Sequence, residues 1–280
     1  MGVLGYLKQR GLTIELLSEA LCLEEHEVLF FTGPPEGTTA DGELDMVLIT
    51  DERGFRRRAE LFAPDRRARG ARRRIGVIYE HVSGVDVDVE VHLRSTYEEL
   101  LEALSALDPA SDAEGVEGEG SLGSVPREAA VDLLFQLGMG RPVVNAESFE
   151  DLRSRLDLRK LAAWNVHHAL VRSRDAIVDA EQSLRRSDAE NAYLKLSAAY
   201  DALGDAVLFS RGEGADRWRW RLPKLRALGP TPFLERYLDV MLVRRGPSEP
   251  LCAFVARQLD AAQGVAERLR ADAGIAPLCS

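Results

Sequence analysis

Hydrophobic and polar positions alternate most regularly over Val85–Leu93. Val85, Val87, Val89, Val91 and Leu93 fall on one side, and Asp86, Asp88, Glu90 and His92 on the other. That period of two predicts a half-buried β-strand. Shorter apolar runs predict further strands at 27–32, 44–50 and 75–80. Before them, Ile14, Leu16, Leu17, Leu21 and Leu23 form a stripe of imperfect helical period, which places helix within residues 1–27. Pro and Gly make 33–37 irregular, and Asp51–Gly54 reads as a turn. Ser95 and Glu98 form a capping-box pattern ahead of Leu100, Leu101, Leu104 and Leu107, which predicts a helix.

The pattern then changes. Asp108–Gly123 is acidic, rich in glycine and poor in apolar residues, as linkers and mobile loops are. Beyond it the periodicity is helical almost throughout. Pro126 suits a first helical position. A helix from about Ser148 extends, with or without a break, past Trp164 and Val178. Tyr193, Leu196, Tyr200, Leu203 and Val207 stripe another behind Ser187 and Glu190, and closing helices are expected at 233–243 and 250–273. No internal repeat is present. The expected architecture is α+β: a small mixed β-sheet domain with flanking helices over 1–110, an acidic linker over 111–125, and an all-α bundle over 126–280.

Composition narrows the function classes. A chain of 280 residues, 45% hydrophobic and 29% charged, has material for one large or two ordinary domains. A net charge of −10 disfavours non-specific binding to nucleic acid or anionic membranes. No apolar run is long enough for a membrane helix, and the first residues lack a signal-peptide pattern. Cys22, Cys252 and Cys279 are widely spaced and show neither zinc nor disulfide spacing, so a reducing cytoplasm is expected.

The candidate chemistry lies in the first half. Gly33 and Gly37 expose backbone N–H groups in a loop that also offers the hydroxyls of Thr32, Thr38 and Thr39, which suits phosphate oxygens. Glu43 and Asp45, separated by one residue where a strand begins, point the same way and suit Mg²⁺. Asp88 or Glu90 on the alternating strand could add a third carboxylate. Each feature also has an ordinary explanation, as a loop, a strand entry and a solvated strand face.

In this order and spacing the residues resemble a nucleotidyltransferase of the DNA polymerase β superfamily, and most closely the minimal and kanamycin-type nucleotidyltransferases. Thr32-Gly33-Pro34 stands at the family's Gly-Ser, Glu43-Leu44-Asp45 at its Asp-x-Asp, and Asp88 or Glu90 at its third carboxylate. The resemblance covers residues 1–107 and extends more loosely to the helical half. It implies Mg²⁺ held by Glu43, Asp45 and Asp88, with Glu90 a further catalytic candidate. ATP or another nucleoside triphosphate is implied at Thr32, Gly33, Gly37, Thr38 and Thr39. It further implies transfer of AMP to an acceptor with release of pyrophosphate; the net acidity and the absence of a nucleic-acid motif favour a small-molecule or protein acceptor over nucleic acid, no membrane partner is expected, and a homodimer is compatible with this reading. Pro34 lacks the hydroxyl and N–H of the family serine, and Glu43 is one methylene longer than Asp. The motif is therefore degenerate, and the same fold could serve as a nucleotide-binding, regulatory or antitoxin-like partner module.

Other features read more plainly. The arginines at 56–58 and 66–74 suit a solvated hairpin loop or an anionic substrate. Trp218 and Trp220, between arginines, suit either base stacking or core packing. His92 reads as an ion-paired surface histidine, and His167 with His168 as a surface or core pair.

Overall fold

The computed structural model describes residues 3–32, 44–63, 75–108, 121–214 and 218–272. These form two compact units. The first comprises 1–105, 121–125 and 132–156, and the second 106–120, 126–131 and 157–280, as far as each is described. The architecture is α+β, as expected.

In the first unit, helices α1 (Val3–Gln9) and α2 (Ile14–Ala20) precede strand β1 (Val28–Phe31). Thr13 caps α2, its hydroxyl accepting from the Leu16 N–H at 3.3 Å. β2 (Leu44–Thr50) leads into a short helix, α3 (Glu52–Arg57), then β3 (Ile75–Val82), β4 (Val85–Leu93) and helix α4 (Arg94–Ala106). A two-stranded ribbon of β5 (Ser121–Leu122) and β6 (Val125–Pro126) precedes α5 (Arg127–Met139), of which 127–131 belong to the second unit and 132–139 to the first, and then β7 (Arg141–Val144) and α6 (Ala146–Ser154).

The main sheet is five-stranded and mixed, in the order β3-β4-β2-β1-β7. β2 and β4 run parallel, while the other neighbours are antiparallel. One face carries Leu29, Phe31, Leu44, Met46, Leu48, Val87, Val89 and Val91 into a core shared with Leu7, Leu12, Leu17 and Leu21. Each such side chain, fully removed from water, contributes about 1.5–3 kcal/mol. On the other face Phe30 packs on Phe149 of α6, with ring centroids 5.1 Å apart.

Two expectations are corrected here. Asp51–Gly54 is not a plain turn: Asp51 caps α3, its carboxylate accepting from the Gly54 N–H at 2.7 Å. Residues 141–144, expected within a helical stretch, add an edge strand beside β1.

Arg58 behind α3 is fully buried, although its run reads as solvated. Its guanidinium meets Glu27, also fully buried, through Nη1 at 2.6 Å and Nη2 at 2.5 Å. It also donates to the carbonyls of Leu21, Cys22 and Gly54. The Thr50 hydroxyl donates to Glu27 Oε1 at 2.5 Å. Arg58 therefore ties α3 to the end of α2 and the entry to β1. Arg66–Arg74 lie outside the described residues.

The second unit is helical: α7 (Leu158–Arg185), α8 (Ala189–Ser210), α9 (Trp218–Ala227), α10 (Pro232–Met241) and α11 (Leu251–Asp272). Asp188, rather than Ser187, caps α8, accepting from the Asn191 N–H at 3.0 Å. Leu196, Tyr200 and Leu203 are buried, as their spacing predicts. The described residues include no helix long and apolar enough to cross a membrane.

A charged network binds these helices. Arg221 donates to Asp205 at 2.7 Å and Asp201 at 2.8 Å. Arg172 donates to the other oxygen of Asp205 at 2.8 Å, and the Tyr237 hydroxyl to Asp201 at 3.1 Å. Burial, followed by the charge of Asp201, pushes the Tyr237 hydroxyl up to about 12.

His168 on α7 has a consequence for stability. Burial, then Arg127, His167 and Arg172, holds its imidazole down at about 4. Its unfolded value is about 6.5, so between the two the unfolded chain binds the extra proton. Stability is therefore lost as pH falls from 6.5 towards 4, by an amount on the order of 2 kcal/mol. Urea unfolding of the wild type and of His168→Gln, near pH 7 and near pH 4.5, should show a smaller acid destabilisation in the variant.

Candidate functional site

The site follows from strand register. Asp45 is the second residue of β2 and Asp88 the fourth of β4, and they are direct cross-strand partners on the parallel pair. Direct partners on neighbouring strands share a face, about 4.8 Å apart along the hydrogen-bonding direction. On the same face Tyr79 of β3 is the antiparallel partner of Asp88, and it is 47% exposed. On the other side of Asp45, the Thr32 N–H donates to the Asp45 carbonyl at 3.0 Å and the Thr32 hydroxyl to the same oxygen at 3.2 Å. Tyr79, Asp88, Asp45 and Thr32 thus form one row across the sheet, where β2 starts and β1 ends. Thr32 and Leu44, the described residues on either side of 33–43, lie in this row and next to it.

The next row inward is Val77, Glu90, Val47 and Phe30, and the one after it Ile75, His92, Ile49 and Val28. The face therefore changes from acidic near the start of β2 to apolar inside. Glu90 remains about one-third exposed in that gradient. His92 is buried, contrary to the surface position expected for it, and its Nε2 lies 3.4 Å from Glu90 Oε2. The Tyr97 ring packs edge-on against His92 at 6.1 Å. Burial first and the Glu90 charge second push the Tyr97 hydroxyl well above 10, so that it stays neutral. Asp86, the outermost acidic residue of β4, pairs with His81 across the β3–β4 hairpin at 2.8 Å.

Two of the sequence-derived carboxylates, Asp45 and Asp88, are thus brought together, and Glu90 lies one row behind them. Thr32 adjoins them, but its hydroxyl proton is committed to the Asp45 carbonyl. Gly33, Pro34, Gly37, Thr38, Thr39 and Glu43 lie outside the described residues. Among the described residues, no group of three His, Cys, Asp or Glu side chains is arranged to hold a metal ion. Asp45 and Asp88 are the residues of this row that could serve a hard cation, since Mg²⁺ commonly takes one or two carboxylates and completes its shell with water and phosphate. Sequence reasoning missed Tyr79. Its alternation with buried neighbours on β3 was the available signal, but only register places it beside Asp88.

Fold and site together define an α+β protein with paired carboxylates on two adjacent central strands of a mixed sheet, near the start of β2. No family model matches the chain, and no curated protein does. Among solved structures it is similar to a nucleotidyltransferase-like protein from Exiguobacterium sibiricum 255-15, with 12% identity and a TM-score of 0.49, over 95% of this chain and 77% of that one. A likeness this distant assigns neither family nor activity, so the functional conclusion rests on the site.

Proposed function

We propose that the chain is a Mg²⁺-dependent nucleotidyltransferase that moves a nucleoside monophosphate, AMP from ATP, to a small-molecule or protein acceptor. The observation supporting this is the cross-strand pairing of Asp45 with Asp88 beside Thr32 and Leu44, the described residues on either side of 33–43.

Asp45 and Asp88 would hold the metal, with Glu43 as a further ligand. When bound, the ion would supply positive charge against the triphosphate oxygens and orient them. Residues 33–39 would bind the triphosphate, and Thr32, whose N–H and hydroxyl are held by the Asp45 carbonyl, would join them only by releasing its hydroxyl. The acceptor hydroxyl would attack the α-phosphorus while the bond to the bridging oxygen breaks and pyrophosphate leaves. Glu90, next to His92 and one row behind the pair, would take the acceptor proton. Tyr79 offers an exposed ring beside the carboxylates, against which a base or acceptor can pack.

The full chain incubated with ATP and Mg²⁺ should release pyrophosphate when the right acceptor is added, and calorimetry should show ATP binding that needs the metal. The degenerate motif supports a second reading. Pro34 replaces a phosphate-contacting serine and Glu43 a shorter ligand. On that reading the chain binds nucleotide without turnover and serves as a regulatory or antitoxin-like partner. Metal-dependent ATP binding without pyrophosphate release across an acceptor panel would favour it.

A further inference from the structure

The second unit carries a polar stripe flanked by two arginines that the proposed chemistry does not use. Asn165, His168 and Arg172 lie three and four residues apart, on one face of α7. From first to last they span about 10 Å of helix. Arg127, which belongs to the same unit, lies across one end of this stripe. Its Nη1 donates to Asn165 Oδ1 at 3.0 Å, and its guanidinium sits over the Trp164 ring, 5.8 Å from the centroid. The Trp164 and His168 rings meet edge-on at 5.2 Å. At the other end Arg172 is exposed and gives one N–H to Asp205. His168 lies between the two guanidinium groups.

Among the described residues Arg127 forms no ion pair; its hydrogen-bond partner is the neutral amide of Asn165. Asp205 is shared between Arg172 and Arg221, and Arg221 also takes Asp201. Arg127 is half-buried, and the carboxylates of Glu128 and Asp205 act on it from a distance without pairing with it directly. Such a group is costly unless paired. Arg127 has used one of its five N–H donors and Arg172 one of its own. Guanidinium forks match the oxygens of phosphate.

We propose that Arg127, His168 and Arg172 form a binding site for a phosphate group on the helical unit. Trp164, which is buried, and Asn165 fix Arg127 from behind, while Asp205 anchors Arg172 and leaves its other donors available. Burial and the neighbouring Arg172 hold the Arg127 guanidinium below its usual range, and an anion would relieve both this and the depression of His168. The phosphate could be inorganic or the terminal group of an organic monoester.

The test follows the His168 ring protons by NMR in the full-length chain, assigned with His168→Gln. It uses an Asp45→Ala background without added metal, so that failure of the nucleotidyl-transfer proposal leaves the result unaffected. Inorganic phosphate, AMP and adenosine are titrated separately. Phosphate or AMP should shift His168 saturably and raise its titration from about 4, while adenosine should not. Arg127→Gln and Arg172→Gln should each weaken binding about tenfold or more. Arg172→Gln leaves Asp205 paired with Arg221, so it remains a test if the Arg127 variant does not fold. Tighter binding of AMP than of phosphate supports the site with an organic ester as its ligand, and the reverse order supports it with free phosphate. Absence of a saturable shift with either ligand, or affinity unchanged in both arginine variants, overturns the proposal.

Discussion

Asp45→Ala is expected to abolish metal-dependent pyrophosphate release from ATP while leaving the fold intact. The Asp45 side chain is exposed at the start of β2, and its backbone bonds to Thr32 survive truncation. Removing it leaves Asp88 as the remaining described carboxylate in the row, so half of the proposed carboxylate pair is lost and the ion would no longer be held where the triphosphate needs it. Losing a well-placed metal from phosphoryl chemistry costs several kcal/mol of barrier, roughly a hundredfold or more in rate. Glu90→Gln should lower turnover while sparing metal-dependent ATP binding, because Glu90 lies one row behind the pair. Pyrophosphate release measured beside calorimetry separates the two variants. Unchanged release in Asp45→Ala would remove the carboxylate-pair mechanism.

The second large effect concerns stability. Glu27→Gln should destabilise the first unit by about 3–5 kcal/mol, because it leaves the Arg58 charge buried without its counter-ion. The double change Glu27→Leu with Arg58→Met should cost less than Glu27→Gln alone, since neither position then carries a charge. Gly54→Ala probes the same site by crowding. A Cβ there would press on Thr50 Oγ1 and Glu27 Oε1, and would lie 3.1 Å from Arg58 Nη1. Chemical denaturation of the three variants gives the ordering. A double variant no more stable than Glu27→Gln would show that the ion pair is not what holds α3 in place.

The parts legible in sequence are those governed by local periodicity. β2 and β4 occupy the spans their patterns predict, because a strand buried on one face must alternate or run apolar. β7 was not legible. Arg141–Val144 is short, contains Pro142 and has weak alternation. It lies at the sheet edge with β1 as its one strand partner, where proline is tolerated. Arg58 was illegible for a different reason. A run of arginines reads as solvated, and burial becomes acceptable only because Glu27, far away in sequence, meets it. His92 looked exposed because its strand face is polar at Asp86 and Asp88. That face turns inward along its length, and only packing against Tyr97 shows where.

What the sequence determined by itself was the spans of the two central strands, the face of each on which the acidic residues lie, and the helical stripes of the second half. All are set by interactions within a few residues. The tertiary structure decided which strands are neighbours, that β2 and β4 run parallel, and that Asp45 stands opposite Asp88 rather than Glu90. Pairing register depends on burying apolar faces contributed by distant segments, and a shift of one residue would turn every side chain to the other face. The meeting of Arg127 with α7 in the second unit likewise exists only in three dimensions, because Arg127 and the α7 residues it meets are far apart along the chain.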